Sequence, residues 1–321
     1  RVIEDDIEND SESQMGLVNL IFFGIINRRV ELLSLNPEKM IYTFMTDFRV
    51  TSWNTAKRLK QIDSQVEFLK KHNADIVALQ EVIPSTEIEF RRRLKKEYPY
   101  IISSFELAPD FSILKKKRMF GQLILSKFIL QPLNPKNINV PWQERVLSSI
   151  FVIDGKQIAL HTTHIPPGSS NGWIKISMIK GIVEHLISYG ETHEQILCGD
   201  FNTPKFESEE TGLVTFGQNV NKQGKVITKK SFRGGRGYDW DLAERSLFEE
   251  LPKKGFLETF RIHNPYDYTS FSWQFLRKGK QFTNRFDHMF ASKTLKCLDC
   301  KYLENFTQMS DHSPITAMFQ N

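Results

Sequence analysis

At 321 residues with 40% apolar side chains, the chain is long enough for one large domain or two ordinary ones around a packed core, which excludes a disordered or fibrous protein. Lysine and arginine number 43 against 38 acidic residues, a net charge of only +5, so overall charge does not by itself mark a polyanion binder. Three cysteines, Cys198, Cys297 and Cys300, are too few and too unevenly spaced for a disulfide framework and point to a reducing, cytoplasmic compartment.

Residues 1–14 are acid-rich and read as disordered. Met15 to Asn27 form an apolar run too short to cross a bilayer as an ordinary helix, and it lacks the basic leader and small-residue cleavage site of a signal peptide. No stable membrane insertion is expected. Residues 1–47 are assigned as an N-terminal extension of unknown function, and the domain proper is placed at 48–321.

From Phe48 onward strand and helix signals alternate. The run Phe48 to Trp53 is β-prone and ends at Asn54. Ala56, Leu59, Ile62, Val66 and Leu69 recur at helical spacing, and Asp75 to Val82 reads as a buried strand ending at Gln80-Glu81. A helix is predicted over Ser85 to Tyr98. Strands follow at Gly121 to Ser126, Val146 to Ile153 and Gln157 to His164, the last two joined by the hairpin dipeptide Asp154-Gly155. After a Pro- and Gly-rich loop, Ile174, Met178, Ile182, Val183, Leu186 and Ile187 mark one face of a helix. Next come the strand "ILCGD", a Gly- and Lys-rich stretch from Glu207 to Tyr238, and two apolar runs, Phe286 to Ala291 and Pro314 to Phe319. Hairpin-joined strands with fewer helices imply mainly antiparallel sheets covered by helices, an α/β (α+β) class.

Asn54, Glu81, His164, Asp200, Asn202, Asp287 and the Asp311-His312 pair each sit at or just past the end of an apolar run. One such residue is a turn or a cap. The repetition along the chain is another matter, because strand ends at one edge of a sandwich converge, and clustered carboxylates need a cation or an imidazolium between them. Basic runs occur at Arg91-Arg92-Arg93, Lys115 to Arg118, and Lys229 to Arg236, and could meet phosphates. Cys297-Leu-Asp-Cys300 lacks a second ligand pair at zinc spacing, so no zinc is expected there.

The segments "SWNTAK", "LQEV", "FGQLILSK", "THIPPG", "GDFNTP", "RFDHMFAS" and "SDHSPI", in that order, resemble the signature segments of the endonuclease/exonuclease/phosphatase superfamily, which includes deoxyribonuclease I and exonuclease III. The resemblance covers about residues 48 to 320. It implies a four-layer sandwich of two packed mixed sheets flanked by helices. It also implies hydrolysis of phosphate esters with a divalent cation, Mg²⁺ with Mn²⁺ as a substitute.

Carried over residue by residue, the resemblance makes Glu81 the metal-binding glutamate, with Asn54 and Asp311 in the metal shell. Asp200 becomes the group that positions or deprotonates water, and Asn202 the amide beside it. His312 becomes the phosphate-binding histidine, held by Asp287, with His164 near the leaving group. Where the abasic-site enzymes of the family carry tyrosine and then asparagine, this chain carries His164 and Pro167. Arg145, Ser169, Ser170, Asn171, Trp173 and Trp273 are assigned to substrate contact, with Trp142 and Phe271 as further aromatic residues able to stack on bases. The expected activity is that of a monomeric, metal-dependent DNA nuclease. The alternatives are a phosphatase or phosphodiesterase on a lipid head group or small ester, and an inactive binding module on the same scaffold.

Overall fold

In this computed structural model the described residues are 28–32, 42–107, 114, 118–189, 193–266, 270–304 and 306–321. The chain divides into two units, residues 1–47 and 48–321. In the first, Arg28–Leu32 pairs antiparallel with the opening residues of the strand Tyr42–Asn54. The acid-rich residues 1–14 and the apolar run from Met15 to Asn27 lie outside the described residues, as do Lys115, Lys116 and Lys117.

The second unit is built on two sheets. In one, the strands run in the order Lys296–Tyr302, Ile315–Gln320, Tyr42–Asn54, Ile76–Val82, Gly121–Ser126, Tyr100–Ser103. In the other the order is Phe256–Glu258, Asp287–Ser292, Glu194–Asp200, Lys156–His164, Val146–Ile153, Gln131–Pro132. Both sheets are mixed. Tyr42–Asn54 lies parallel to Ile76–Val82 and Lys156–His164 parallel to Glu194–Asp200, whereas Gly121–Ser126 runs antiparallel to both its neighbours, as do Val146–Ile153, Asp287–Ser292 and the pair Lys296–Tyr302 with Ile315–Gln320. A parallel pair needs a crossover connection. The helices Ile62–His72 and Ile174–Tyr189 occupy those two crossovers and cover the outer faces of the sheets.

Strand periodicity divides the apolar residues between the two sides of each sheet. Phe48, Ala78, Ile124, Ile158, Ile196, Met289 and Ile315 fill the space between the sheets. Val66, Leu69, Leu79 and Phe90 pack under one pair of helices, and Met178, Ile182, Leu186 and Leu197 under Ile174–Tyr189. Truncating one of these fully buried side chains to alanine would cost about 2–5 kcal/mol.

The helix predicted to reach Tyr98 stops at Leu94, because the chain turns there to enter the strand Tyr100–Ser103. The stretch after Glu207 holds two small hairpins, Phe206–Ser208 with Gly212–Val214 and Gln218–Val220 with Val226–Thr228, followed by the helix Gly237–Arg245. A further hairpin, Trp273–Arg277 with Lys280–Asn284, turns at Lys278-Gly279, both with positive φ, the geometry of a two-residue primed turn.

Candidate active site

The inter-sheet parity that buries Val50, Ile158, Leu160, Ile196, Cys198, Met289 and Ala291 continues along each strand to Asn54, His164, Asp200 and Asp287. These polar groups therefore meet where the apolar core ends. His164 is the register partner of Asp200 in the parallel pair, and Asp287 is its partner on the other side. The close approach of the first pair depends on Gly199. With φ +142, a Cβ there would stand 1.9 Å from the Thr163 carbonyl oxygen.

Glu81 does not obey the same parity. Counting from Leu79 it would face the covering helices, but the register with Gly121–Ser126 shifts between Leu79 and Val82, and Glu81 takes φ +51. This bulge re-aims the carboxylate into the site, where it lies 3.6 Å from His164 Nε2.

Asp200 is the hub. Its Oδ2 accepts hydrogen bonds from Asn54 Nδ2 at 2.9 Å and Asn202 Nδ2 at 3.2 Å, and its Oδ1 accepts from the Asn202 backbone N–H at 2.9 Å. Asn202, at φ +50, also donates to the Ile165 carbonyl, which fixes its amide. Burial raises the Asp200 pKa. His312 and the Asn202 N–H work against that, while Asp287 and Glu81 add to it.

Two histidines flank this carboxylate. His312 Nδ1 lies 2.8 Å from Asp287 Oδ2, and its Nε2 lies 3.9 Å from Asp200 Oδ2. Burial disfavours the imidazolium, but Asp287 and then Asp200 outweigh it and raise the His312 pKa above the usual imidazole range. His164 is held by Arg145, whose guanidinium meets His164 Nδ1. A guanidinium can only donate, so Nδ1 must accept and the proton of the neutral ring sits on Nε2. Burial, followed by Arg145, His312 and Lys57, lowers the His164 pKa well below 6.5. The Nε2–H points between Glu81 and Asp200, 3.6 Å from each.

Behind the loop that carries Asn202 lies a pair the sequence did not reveal. Lys175 is fully buried and donates to the Asn202 carbonyl at 2.8 Å and to Glu244 Oε1 at 2.5 Å. Removing one member would strand the other charge, at a cost of about 3–5 kcal/mol. Arg285 likewise anchors the strand carrying Asp287, through both oxygens of Glu207 and through Glu258.

A cleft of about 600 Å³ opens over Glu81, His164, Asp200 and His312. Of the residues assigned to substrate contact, Ser169 and Trp273 line it. Arg145 is buried behind His164, near the rings of Phe120 and Trp142. Ser170 and Asn171 turn back onto the Pro167 carbonyl, and Trp173 packs edge-on against Trp240. Trp142 packs against the core under Ile174–Tyr189, and Phe271 lies edge-on to Phe306. Phe275, Arg277 and Phe282 reach the cleft without having been singled out.

Among the described residues, the arginines of the basic runs other than Arg233 spend their charge on intramolecular pairs. Arg91 meets Glu87, Arg92 meets Glu89, Arg93 meets Asp63, and Arg118 forms a two-pronged pair with Glu144. Arg236 pairs with Asp239. From the run Lys229 to Arg236, Arg233 reaches the cleft. Cys300 is buried beside the Thr259 hydroxyl, and Cys198 and Cys297 are also free thiols. Among the described residues the candidate metal clusters are Glu81 with His164 and Asp200, and Asp200 with Asp287 and His312.

The donor set fits a hard divalent cation, which takes oxygen ligands. Glu81 offers its carboxylate to the cleft, and Asp311 Oδ1 lies 3.4 Å from Arg58 without a hydrogen bond. Asp200 Oδ2 already accepts from two amides, whereas Oδ1 accepts only the Asn202 N–H and keeps a lone pair able to receive a proton.

The Endonuclease/Exonuclease/phosphatase family model matches residues 51–312. No curated protein matches the chain by sequence. Among solved structures, the chain is similar to TDP2 of D. rerio complexed with single-strand DNA product, at TM-score 0.59 and 15% identity, covering 86% of this chain and 99% of that one. It is also similar to an AP endonuclease from Archaeoglobus fulgidus, at TM-score 0.59 and 17% identity, covering 85% and 99%. Truncated TDP2 of Caenorhabditis elegans aligns at TM-score 0.53 and 16% identity over 86% and 98%. At these identities the likeness establishes the fold.

Proposed function

The chain belongs to the endonuclease/exonuclease/phosphatase family, and from that premise we propose that residues 48–321 form a divalent-metal-dependent phosphodiester hydrolase acting on nucleic acid, DNA in the first place. The observation that carries this reading is Asp200, buried, held by two asparagine amides and set between His164 and His312.

In this reading Asp200 takes the proton of the attacking water, and Asn202 and Asn54 hold the carboxylate in place for that transfer. The His312 imidazolium, fixed by Asp287, pairs with the phosphoryl oxygens. His164 offers its Nε2–H to a phosphoryl or leaving oxygen. Glu81, with Asp311 on the same cleft lining, would hold Mg²⁺ or Mn²⁺, and Asn54, whose amide is committed to Asp200 and the Ala56 N–H, would act from behind; the ion would offset negative charge on the phosphoryl group and leaving oxygen. The neighbours support nucleic acid as the substrate, since one is a complex with single-strand DNA product and another is an AP endonuclease. We read the protein as a monomer in a reducing, cytoplasmic compartment. Among the described residues no helix is long and apolar enough to cross a membrane.

The test offers the full chain a plasmid, an abasic-site oligonucleotide and a set of inositol phosphates, with Mg²⁺ and again with EDTA. DNA should be cleaved with Mg²⁺ and left intact in EDTA. Full activity in EDTA would contradict the metal requirement, and phosphate release from the inositol phosphates with DNA untouched would replace nucleic acid by a small ester.

A further inference from the structure

We infer that the hairpin of Trp273–Arg277 and Lys280–Asn284 is a stacking platform for unpaired nucleotides, which makes a single strand, or a frayed end, the form of nucleic acid this site takes; the inference rests on the nucleic-acid reading above. The hairpin forms a two-stranded sheet of its own, outside both sheets of the sandwich. Its base is tied to the catalytic segment. Trp273 makes a β-bridge with His312, and the Gln274 N–H donates to the Asp311 carbonyl at 3.1 Å.

Strand alternation gives this hairpin two unlike faces. One carries Trp273, Phe275 and Arg277, opposite Asn284, Phe282 and Lys280 on the partner strand. Of these, Trp273, Phe275, Arg277, Phe282 and Asn284 line the catalytic cleft. The other face carries Gln274, Leu276, Gln281 and Thr283, and its two glutamines hydrogen-bond to each other. The aromatic rings are thus turned toward the reacting groups. Phe275 and Phe282 are also left uncovered, 48% and 49% exposed, while Trp273 packs against Phe286 at the base. The Trp273 and Phe275 rings are nearly parallel, 8° apart with centroids at 6.0 Å, so they share one face.

From Trp273 to Arg277 the platform runs about 13 Å outward from the catalytic histidine, at about 3.3 Å per residue. Arg277 at its outer end and Arg233 on the facing wall both line the cleft, and neither pairs with a carboxylate among the described residues. Exposed aromatic faces, bounded by two guanidinium groups that no carboxylate neutralises among the described residues, match a strand whose bases are free and whose backbone is anionic. Bases inside a duplex have already given their faces to one another. A lipid surface is the other polyanion that such rings could meet, but it would select the outward tip. There Leu276 is 70% exposed and points away from the cleft face.

The test uses the full chain with Mg²⁺, a labelled oligonucleotide without self-complementarity, and the same oligonucleotide annealed as a blunt duplex. The single strand should be cut with a kcat/KM at least about tenfold higher, and Phe275→Ala with Phe282→Ala should raise its KM by about tenfold or more. Leucine at both positions should do the same, since it keeps apolar area but has no ring face. Phe275→Trp should retain the wild-type KM, and Leu276→Ala should change nothing. Cleavage of the blunt duplex as fast as the single strand, or wild-type KM in the double-leucine variant, would overturn the platform while leaving nucleic-acid hydrolysis standing. If Leu276→Ala instead abolishes sedimentation with phosphatidylserine vesicles, and neither form of DNA is cut, both the platform and the nucleic-acid reading fall.

Discussion

His164 and His312 approach the same oxygen of Asp200 from two regions of the molecule, at 3.6 and 3.9 Å. The first stands at the end of a strand in the same sheet as Asp200, while the second belongs to the loop that enters Ile315–Gln320 in the other sheet. Both are buried, and burial alone would leave both neutral. What separates them is the group on the far nitrogen. Arg145 faces Nδ1 of His164 and Asp287 faces Nδ1 of His312, so one ring is a neutral donor and the other a cation. The neighbour behind each ring, rather than the carboxylate both share, sets the charge each presents to a phosphate.

The largest effect is expected where the two halves join. Asp200→Asn removes the proton acceptor, so kcat/KM on DNA should fall by about 10²- to 10⁴-fold or more with the thermal midpoint near wild type. A variant retaining a tenth of the activity would remove Asp200 from that role. In the wild type, because burial raises its pKa, the acid limb of the rate profile should lie above the ordinary aspartate range.

Next in size is Asp287→Asn, which should erase the contrast between the rings. Asp287 holds the His312 pKa up, so without it the imidazolium is lost as pH rises. The loss should be roughly 10²-fold at pH 8 and smaller at pH 6, where the ring can still be protonated. A loss equal at both values would mean that Asp287 positions the ring without charging it.

Arg145→Met tests the other flank. With the donor gone, Nδ1 of His164 is free to take the proton, and kcat should fall by about tenfold, as for other groups that orient a working histidine. The smallest effect belongs to a region far from the comparison: Cys297→Ser with Cys300→Ser should leave activity unchanged, and stoichiometric zinc bound through those sulfurs would contradict this.

Much of the site could be read from the sequence because strands buried on both faces show as apolar runs, and the polar residue closing each run inherits their parity. Asn54, His164, Asp200 and Asp287 follow that rule. Glu81 does not, since its aim depends on a bulge against Gly121–Ser126 that no local pattern encodes. Arg145 was assigned to substrate, yet the pairing of Val146 with Thr163 sets it behind His164. Trp173 and Asn171 sit in a loop whose direction is decided by packing on Trp240 and by the Pro167 carbonyl. The hairpin after Ser272 did carry a signal, a Lys-Gly turn between alternating aromatic and polar residues, but its cleft-facing side is apparent only once Trp273 is seen beside His312.

A neutral His164 beside a cationic His312 is the claim on which this account turns, and nitrogen-15 NMR of histidine-labelled protein, titrated from pH 5 to 8 with and without Mg²⁺, tests it most directly. His312 should keep protons on both nitrogens across the range, while His164 should show a proton on Nε2 alone and no titration. A His164 signal that titrates near 6.5 or carries its proton on Nδ1, or a His312 that is neutral by pH 7, would contradict it.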